Sequence, residues 1–190
     1  MMSNIVKKIH APDRKTWRAW LEKNHDKEKK VGLISHKRHT GKPALTHKES
    51  MEEAICFGWI DTTIKRLDED RYLRYFCRRS KNSKWSLATL SYGKDLIKRK
   101  LMHPVGLQFY KQGVLKKAFD HHIPKNPEMP EMLKSELEKD PKALSNFNNF
   151  APSYKRMYFR WILHAKLPAT QMKRINEVVQ RAKDNKKNFM

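Results

Sequence analysis

Cys56-Phe57-Gly58-Trp59-Ile60-Asp61 marks the point where helical spacing gives way to extended spacing. Before it, Met51, Ala54, Ile55 and Gly58 recur at i, i+3, i+4 and i+7, the narrow apolar face of a short helix. Thr46-His47-Lys48-Glu49 opens that helix with capping-box spacing, in which the threonine hydroxyl accepts from the N3 amide and the glutamate accepts from the cap amide. Gly58 closes it, because glycine takes the left-handed turn at a helix C-terminus without Cβ strain. After it, Ile60, Thr62 and Ile64 alternate with Asp61, Thr63 and Lys65, and Asp68-Glu69-Asp70 turns the chain into a second run from Tyr72 to Arg78. The two runs predict a hairpin. In the second run Leu73, Tyr75 and Cys77 make the apolar face, while Tyr72, Arg74, Phe76 and Arg78 make a mixed aromatic and cationic one. Ile60 is expected to point into the core and Asp61 to anchor the arginine loop that follows.

Towards the N-terminus, Asp13 is an N-cap for a helix that carries Trp17, Trp20 and Leu21 on one side and Lys15, Arg18, Glu22 and Lys23 on its surface. A charged loop from His25 to Lys30 leads into a short strand, Val31 to His36. Towards the C-terminus, the cationic loop Arg78 to Lys84 precedes Ser86, which caps a helix running through Leu90, Ile97 and Leu101. Pro104 and Gly106 start another helix that Gly113 ends, with Val114, Leu115 and Phe119 as a last turn packed on the core. His121 to Glu131, with three prolines, reads as a linker. Beyond it the chain is helical throughout, with helices following Pro130, Pro141, Pro152 and Pro168. Tyr154, Met157, Tyr158, Trp161, Ile162 and Ala165 form the clearest amphipathic stripe, and Met172, Ile175, Val179 and Ala182 form the last one. The expected fold is α+β, with a small antiparallel sheet and packed helices over residues 1–122 and a basic all-helical region over 123–190.

Lys and Arg number 42 against 20 Asp and Glu, a net charge of +22. Such a field favours anionic partners: a small molecule such as a phosphorylated ligand, nucleic acid or an acidic membrane surface. Spaced apolar clusters along the whole length exclude a disordered chain despite the strongly negative mean hydropathy. The two cysteines, Cys56 and Cys77, have no framework or metal-knuckle spacing, and the nine histidines lack partners at ligand spacing. No metal or other cofactor is expected, and Cys56, behind an apolar helix face, reads as a buried inert thiol. The stretch Met1 to Lys8 has no apolar signal core, and no apolar run is long enough to span a bilayer. The expectation is a cytoplasmic protein without membrane insertion. The oligomeric state is open.

The run Glu53 to Asp61, followed by Phe76, Arg79, Ser83, Trp85 and Ser86 and then Met102, Pro104 and Gly106, resembles the bacterial YdeI/OmpD-associated family, which is also labelled for bacteriocin protection. Pro152-Ser153-Tyr154, Arg156, Tyr158, Trp161-Ile162, Ala165-Lys166, Thr170, Lys173, Arg174 and Ile175 carry its second part. Arg78 stands where the family tends to have proline and Thr89 where it has asparagine, and Ala169 and Gln171 replace glutamate and arginine around Thr170. The resemblance implies a small bacterial cytosolic protein of stress or bacteriocin tolerance, with no reaction attached.

The sharpest constellation is FGWID with the loop RxxxSxWS: Trp59 and Asp61 with Arg79, Trp85 and Ser86. In one reading Asp61 orients Arg79 by a bidentate contact, Arg79 and the amides after Ser86 hold an anion, and the two indoles offer flat faces to a ligand. In the other, Asp61 pairs with Arg79 or Arg66 to fix the hairpin and both indoles are core. A second set, Lys155, Arg156, Arg160, Lys166, Lys173 and Arg174, would neutralise phosphates along the last two helices. The first functional expectation is a non-enzymatic binder of an anionic ligand. Non-specific nucleic-acid binding is the alternative, and an enzyme acting on a phosphorylated or glycosidic substrate through Asp61 is a third.

Overall fold

The computed structural model describes residues 6–187, so the reading of the first residues as free of a signal core falls largely outside it. The chain forms two compact units that divide between Phe119 and Asp120.

In the first unit a four-stranded sheet has the order β1-β2-β4-β3, with β1 Lys8–His10, β2 Lys30–His36, β3 Trp59–Arg66 and β4 Arg71–Arg78. β2, β4 and β3 are antiparallel as expected, but β1 pairs with β2 in parallel, which makes the sheet mixed. A parallel pair needs a crossover, and α1 (Arg14–Asn24) supplies it. Asp13 caps α1 by accepting from the Thr16 amide at 2.8 Å. Trp17 of α1 packs on Phe76 with ring centroids 5.2 Å apart, and Trp20 meets Trp59 edge-on at 5.9 Å. The helix-covered face of the sheet is therefore that of Phe76, Val31, Leu33 and Trp59, not the Leu73–Tyr75–Cys77 face the alternation suggests. The strict alternation expected in β3 also fails. A bulge between Asp61 and Ile64 places one more residue on β3 than on β4, so Ile60 pairs with Cys77 and Ile64 with Arg74, on opposite faces. Trp59, not Ile60, is the fully buried side chain of this strand.

α2 (His47–Cys56) is the centre of the unit, touching α1, β3, α3 (Leu87–Lys98) and α4 (Pro104–Val114). Its capping box between Thr46 and Glu49 is present. Gly58 ends it at φ +74°, where a Cβ would also lie 2.4 Å from the Phe109 ring. Far from having one narrow apolar face, α2 is buried from Ser50 to Cys56, including Glu52 and Glu53. Arg14 of α1 donates to Glu52 at 2.8 Å and to Glu53 at 2.6 Å, and Arg18 donates to Glu53 at 2.9 Å. These arginines are inter-helix ties rather than surface decoration. Burial, with the Glu53 charge adding to it, pushes the Cys56 thiol up to about 11, which keeps it protonated and inert.

Gly113 lies inside α4 rather than ending it, and its bare Cα makes room for Trp85. Val114, Leu115 and Phe119 are exposed instead of closing the core, which Ala118 joins in their place.

The second unit is four helices, α5 (Glu131–Glu138), α6 (Pro141–Asn148), α7 (Pro152–Leu163) and α8 (Pro168–Lys183). Leu133, Leu137, Phe147, Tyr158, Ile162, Ile175 and Val178 fill their common core. The stretch expected to be a linker is held on this unit. Asp120 and Ile123 are buried, Arg160 of α7 pairs with Asp120 at 3.6 Å and donates to the Pro124 carbonyl at 2.6 Å, and Arg156 reaches Asn126 at 3.3 Å.

Candidate anion cleft

The β4 strand ends at Arg78, and the next residue turns inward because its amide donates to the Gly58 carbonyl at 2.8 Å. Arg79 is thereby drawn under its own loop and is only 3% exposed. Its guanidinium lies 3.6 Å from the centroid of the Trp85 ring, and Nη1 donates to the Lys84 carbonyl at 3.0 Å. Among the described residues Nε and Nη2 have no hydrogen-bond partner. Burial pushes the Arg79 pKa down to about 10 against the opposing pull of Asp61, so the group stays charged near neutral pH.

The contact expected between Asp61 and Arg79 is not made. Asp61 sits opposite Phe76 in the sheet, and Arg74, two residues along β4 on the same face, donates to it at 3.0 Å. His47 completes the site at 3.2 Å. Burial alone would raise the Asp61 pKa, but His47 and Arg74 outweigh it and hold the carboxyl below its ordinary value. Arg66, the other expected partner, pairs with Glu69.

Neither tryptophan offers a face to a ligand. Trp59 is fully buried and donates Nε1–H to the His25 carbonyl at 3.3 Å. Trp85, 4% exposed, is covered by Arg79 on its ring and by Tyr110 edge-on at 5.9 Å. Ser86 spends its hydroxyl on the Thr89 amide at 3.2 Å, and the Thr89 hydroxyl accepts from the Ser86 amide at 3.0 Å. Thr89, where the family resemblance expects asparagine, thus closes a capping box.

Of the five residues proposed from FGWID and the loop, Arg79 is the one that lines the cleft between this loop, the end of α1 and α4. That cleft has a volume of ≈ 490 Å³. His25 and Asp26 follow α1, Arg78 to Lys81 come from the loop, and Val105, Gln108, Phe109 and Gln112 come from α4. Arg78 is fixed by donating to the Asp26 carbonyl at 2.9 Å. The α4 residues were missed in the sequence, although Val105/Phe109 and Gln108/Gln112 stand at i, i+4 on adjoining stripes of that helix.

In the second unit the proposed cations scatter. Lys155 donates to the Asn148 carbonyl at 2.9 Å, Arg156 and Arg160 tie down the stretch before α5, and Lys166 is exposed. Lys173 and Arg174 do come together, with Thr170, Glu177, Arg181 and Trp161, around a cleft of ≈ 390 Å³. Arg174 donates to the Trp161 carbonyl and lies 5.1 Å from the centroid of that ring.

Residues 9–109, more than half of the chain, match the family described as a domain of unknown function, DUF8412. The chain belongs to the DUF8412 family. Residues 126–185 match a second family, described as Bacteriocin-protection, YdeI or OmpD-Associated, which is the family the sequence resembles. The motifs of the first unit that contributed to that resemblance fall in the DUF8412 region instead, as does every cleft residue around Arg79 except Gln112. No curated protein and no solved structure matches the chain. No helix among the described residues is long and apolar enough to cross a membrane, and no cluster of three or more His, Cys, Asp or Glu there is placed to hold a metal ion.

Proposed function

We propose that this chain is a non-enzymatic protein that binds an anionic ligand in the cleft over Arg79, and that in bacterial cytoplasm this binding serves the protective role named for the family matched by its second unit. One observation carries the reading: a buried guanidinium with two donors unspent and, among the described residues, no carboxylate in a salt bridge with it. Stacking on Trp85 offsets about 2 kcal/mol of the burial cost and the bond to Lys84 about 1.5–3 kcal/mol. Each unmade donor costs about 1–3 kcal/mol in return. An anion that accepts from both removes that penalty and supplies the missing countercharge. Asp61 does not line the cleft and is held ionised in its own ion pair, so the reading of an enzyme working through Asp61 gains no support.

The test is a calorimetric screen of nucleotides, sugar phosphates and organic acids against the wild-type chain and Arg79→Ala. Ligands that bind the wild type should lose most of their affinity for the variant, and equal binding by both would reject the site. Cells carrying Arg79→Ala should also lose protection in a bacteriocin challenge.

A further inference from the structure

Resting on that reading of the cleft, we infer the class of its ligand: a carboxylate carried on an apolar body, gripped side-on by Arg79. Nη1 is occupied by the Lys84 carbonyl. The two nitrogens left over, Nε and Nη2, are neighbours on one edge of the guanidinium, and their N–H groups run parallel in one plane. Trp85 fixes that plane by lying against it at 3.6 Å. Two coplanar parallel donors match the two oxygens of a carboxylate, which accepts such a pair as a bidentate contact. A phosphoryl group is tetrahedral, and among the described residues of the lining no other buried side-chain donor is left unpartnered for its remaining charged oxygens. Arg78 and Lys81, the other cations of the lining, are exposed, so they attract anions at long range without fixing geometry. Val105 and Phe109 on α4 supply an apolar wall for the body of the ligand, with Gln108 and Gln112 beside them for a polar substituent.

Both nitrogens are closed to solvent, and the residues on either side of Arg79 line the cleft. A carboxylate that reaches the fork must therefore displace part of the loop beside it, which includes the turn Ser80–Ser83. That turn is held by Ser80 N–H to Ser83 Oγ at 2.8 Å, Ser83 N–H to the Ser80 carbonyl at 3.0 Å, and Lys116 Nζ to the Lys81 carbonyl.

A matched set of probes on the full chain tests this: phenylacetate, phenyl phosphate and neutral phenylacetamide, titrated calorimetrically and followed by the Arg79 Nε–H resonance in a nitrogen-15 spectrum. Phenylacetate should bind and move that resonance, phenyl phosphate should bind about tenfold or more weakly, and phenylacetamide should leave it in place. Arg79→Lys keeps the charge but not the fork, and should weaken phenylacetate by about tenfold or more. The wild-type resonance keeps the test decisive if that variant fails to fold. Tighter binding of phenyl phosphate at Arg79 would overturn the carboxylate assignment while leaving the anion site standing. If no anion moves the resonance, both readings fall.

Discussion

Arg14 touches two buried carboxylates at once, so its loss should be felt at both. Replacing it with methionine keeps the stem but leaves Glu52 and Glu53, both under 5% exposed, to Arg18 and to Lys48 and Arg99 at 3.7 Å. Arg14→Met should cost about 1.5–3 kcal/mol in urea denaturation, the range for hydrogen bonds to charged groups, since Arg14 is itself about a third exposed and the other cations stay in place. A cost under about 1 kcal/mol would mean that the remaining cations suffice. Which charges pair was the least legible property of the sequence. Arg18 read as helix surface, and Asp61 was assigned to Arg79 or Arg66 but takes Arg74 and His47, because register and the bulge in β3, not sequence distance, decide reach. Arg79 itself stood out in the sequence as a loop arginine six positions before Trp85. Its partners did not, because the α4 residues across the cleft are more than two dozen positions away.

Helix ends were far easier to read than strand faces. The caps at Asp13, Thr46 and Ser86 and the stop at Gly58 are local chemistry, and each stands where its spacing put it. β1 is three residues long, below any periodicity, and the bulge in β3 flips the faces that alternation alone assigns. One cap has a titratable consequence. His103 precedes α4, and its Nδ1 accepts from the Val105 amide at 3.4 Å, a bond only the unprotonated nitrogen can make. Burial first, then the His25 ring and the Arg18 charge, hold its pKa below the ordinary 6.5, with Glu22 pulling the other way. A depressed folded pKa means that the unfolded chain takes up the proton first. The stability from neutral His103 is therefore full above pH 6.5 and is lost as pH falls through the folded value. Urea midpoints should drop between pH 7.5 and 5.5 in the wild type, and His103→Asn, which keeps a capping side chain, should flatten that slope; an unchanged slope would assign it to other groups.

A molecule of net charge +22 is expected to hold polyanions, whatever its specific site does. Fluorescence anisotropy with a labelled DNA duplex should show affinity falling steeply from 50 to 200 mM salt, with Arg79→Ala no different from the wild type. A flat salt response would reject phosphate neutralisation, and sensitivity to Arg79 would move nucleic acid into the cleft. The proline-rich stretch after His121 suggested a division of the chain there; the units divide between Phe119 and Asp120, and Arg160 of α7, far along the chain, holds Asp120 and the Pro124 carbonyl on the second unit. The five tryptophans are distributed in a way that gives the protein an optical label of its own. Trp17, Trp20 and Trp59 are packed together and Trp161, in the second unit, has Arg174 5.1 Å from its ring centroid, whereas Trp85 has the Arg79 guanidinium closer, at 3.6 Å. A positive charge that close biases the indole excited state, so neutralising Arg79 should change the colour and yield of its emission. Cleft occupancy could then be followed in unlabelled protein as the part of the signal that Trp85→Phe removes.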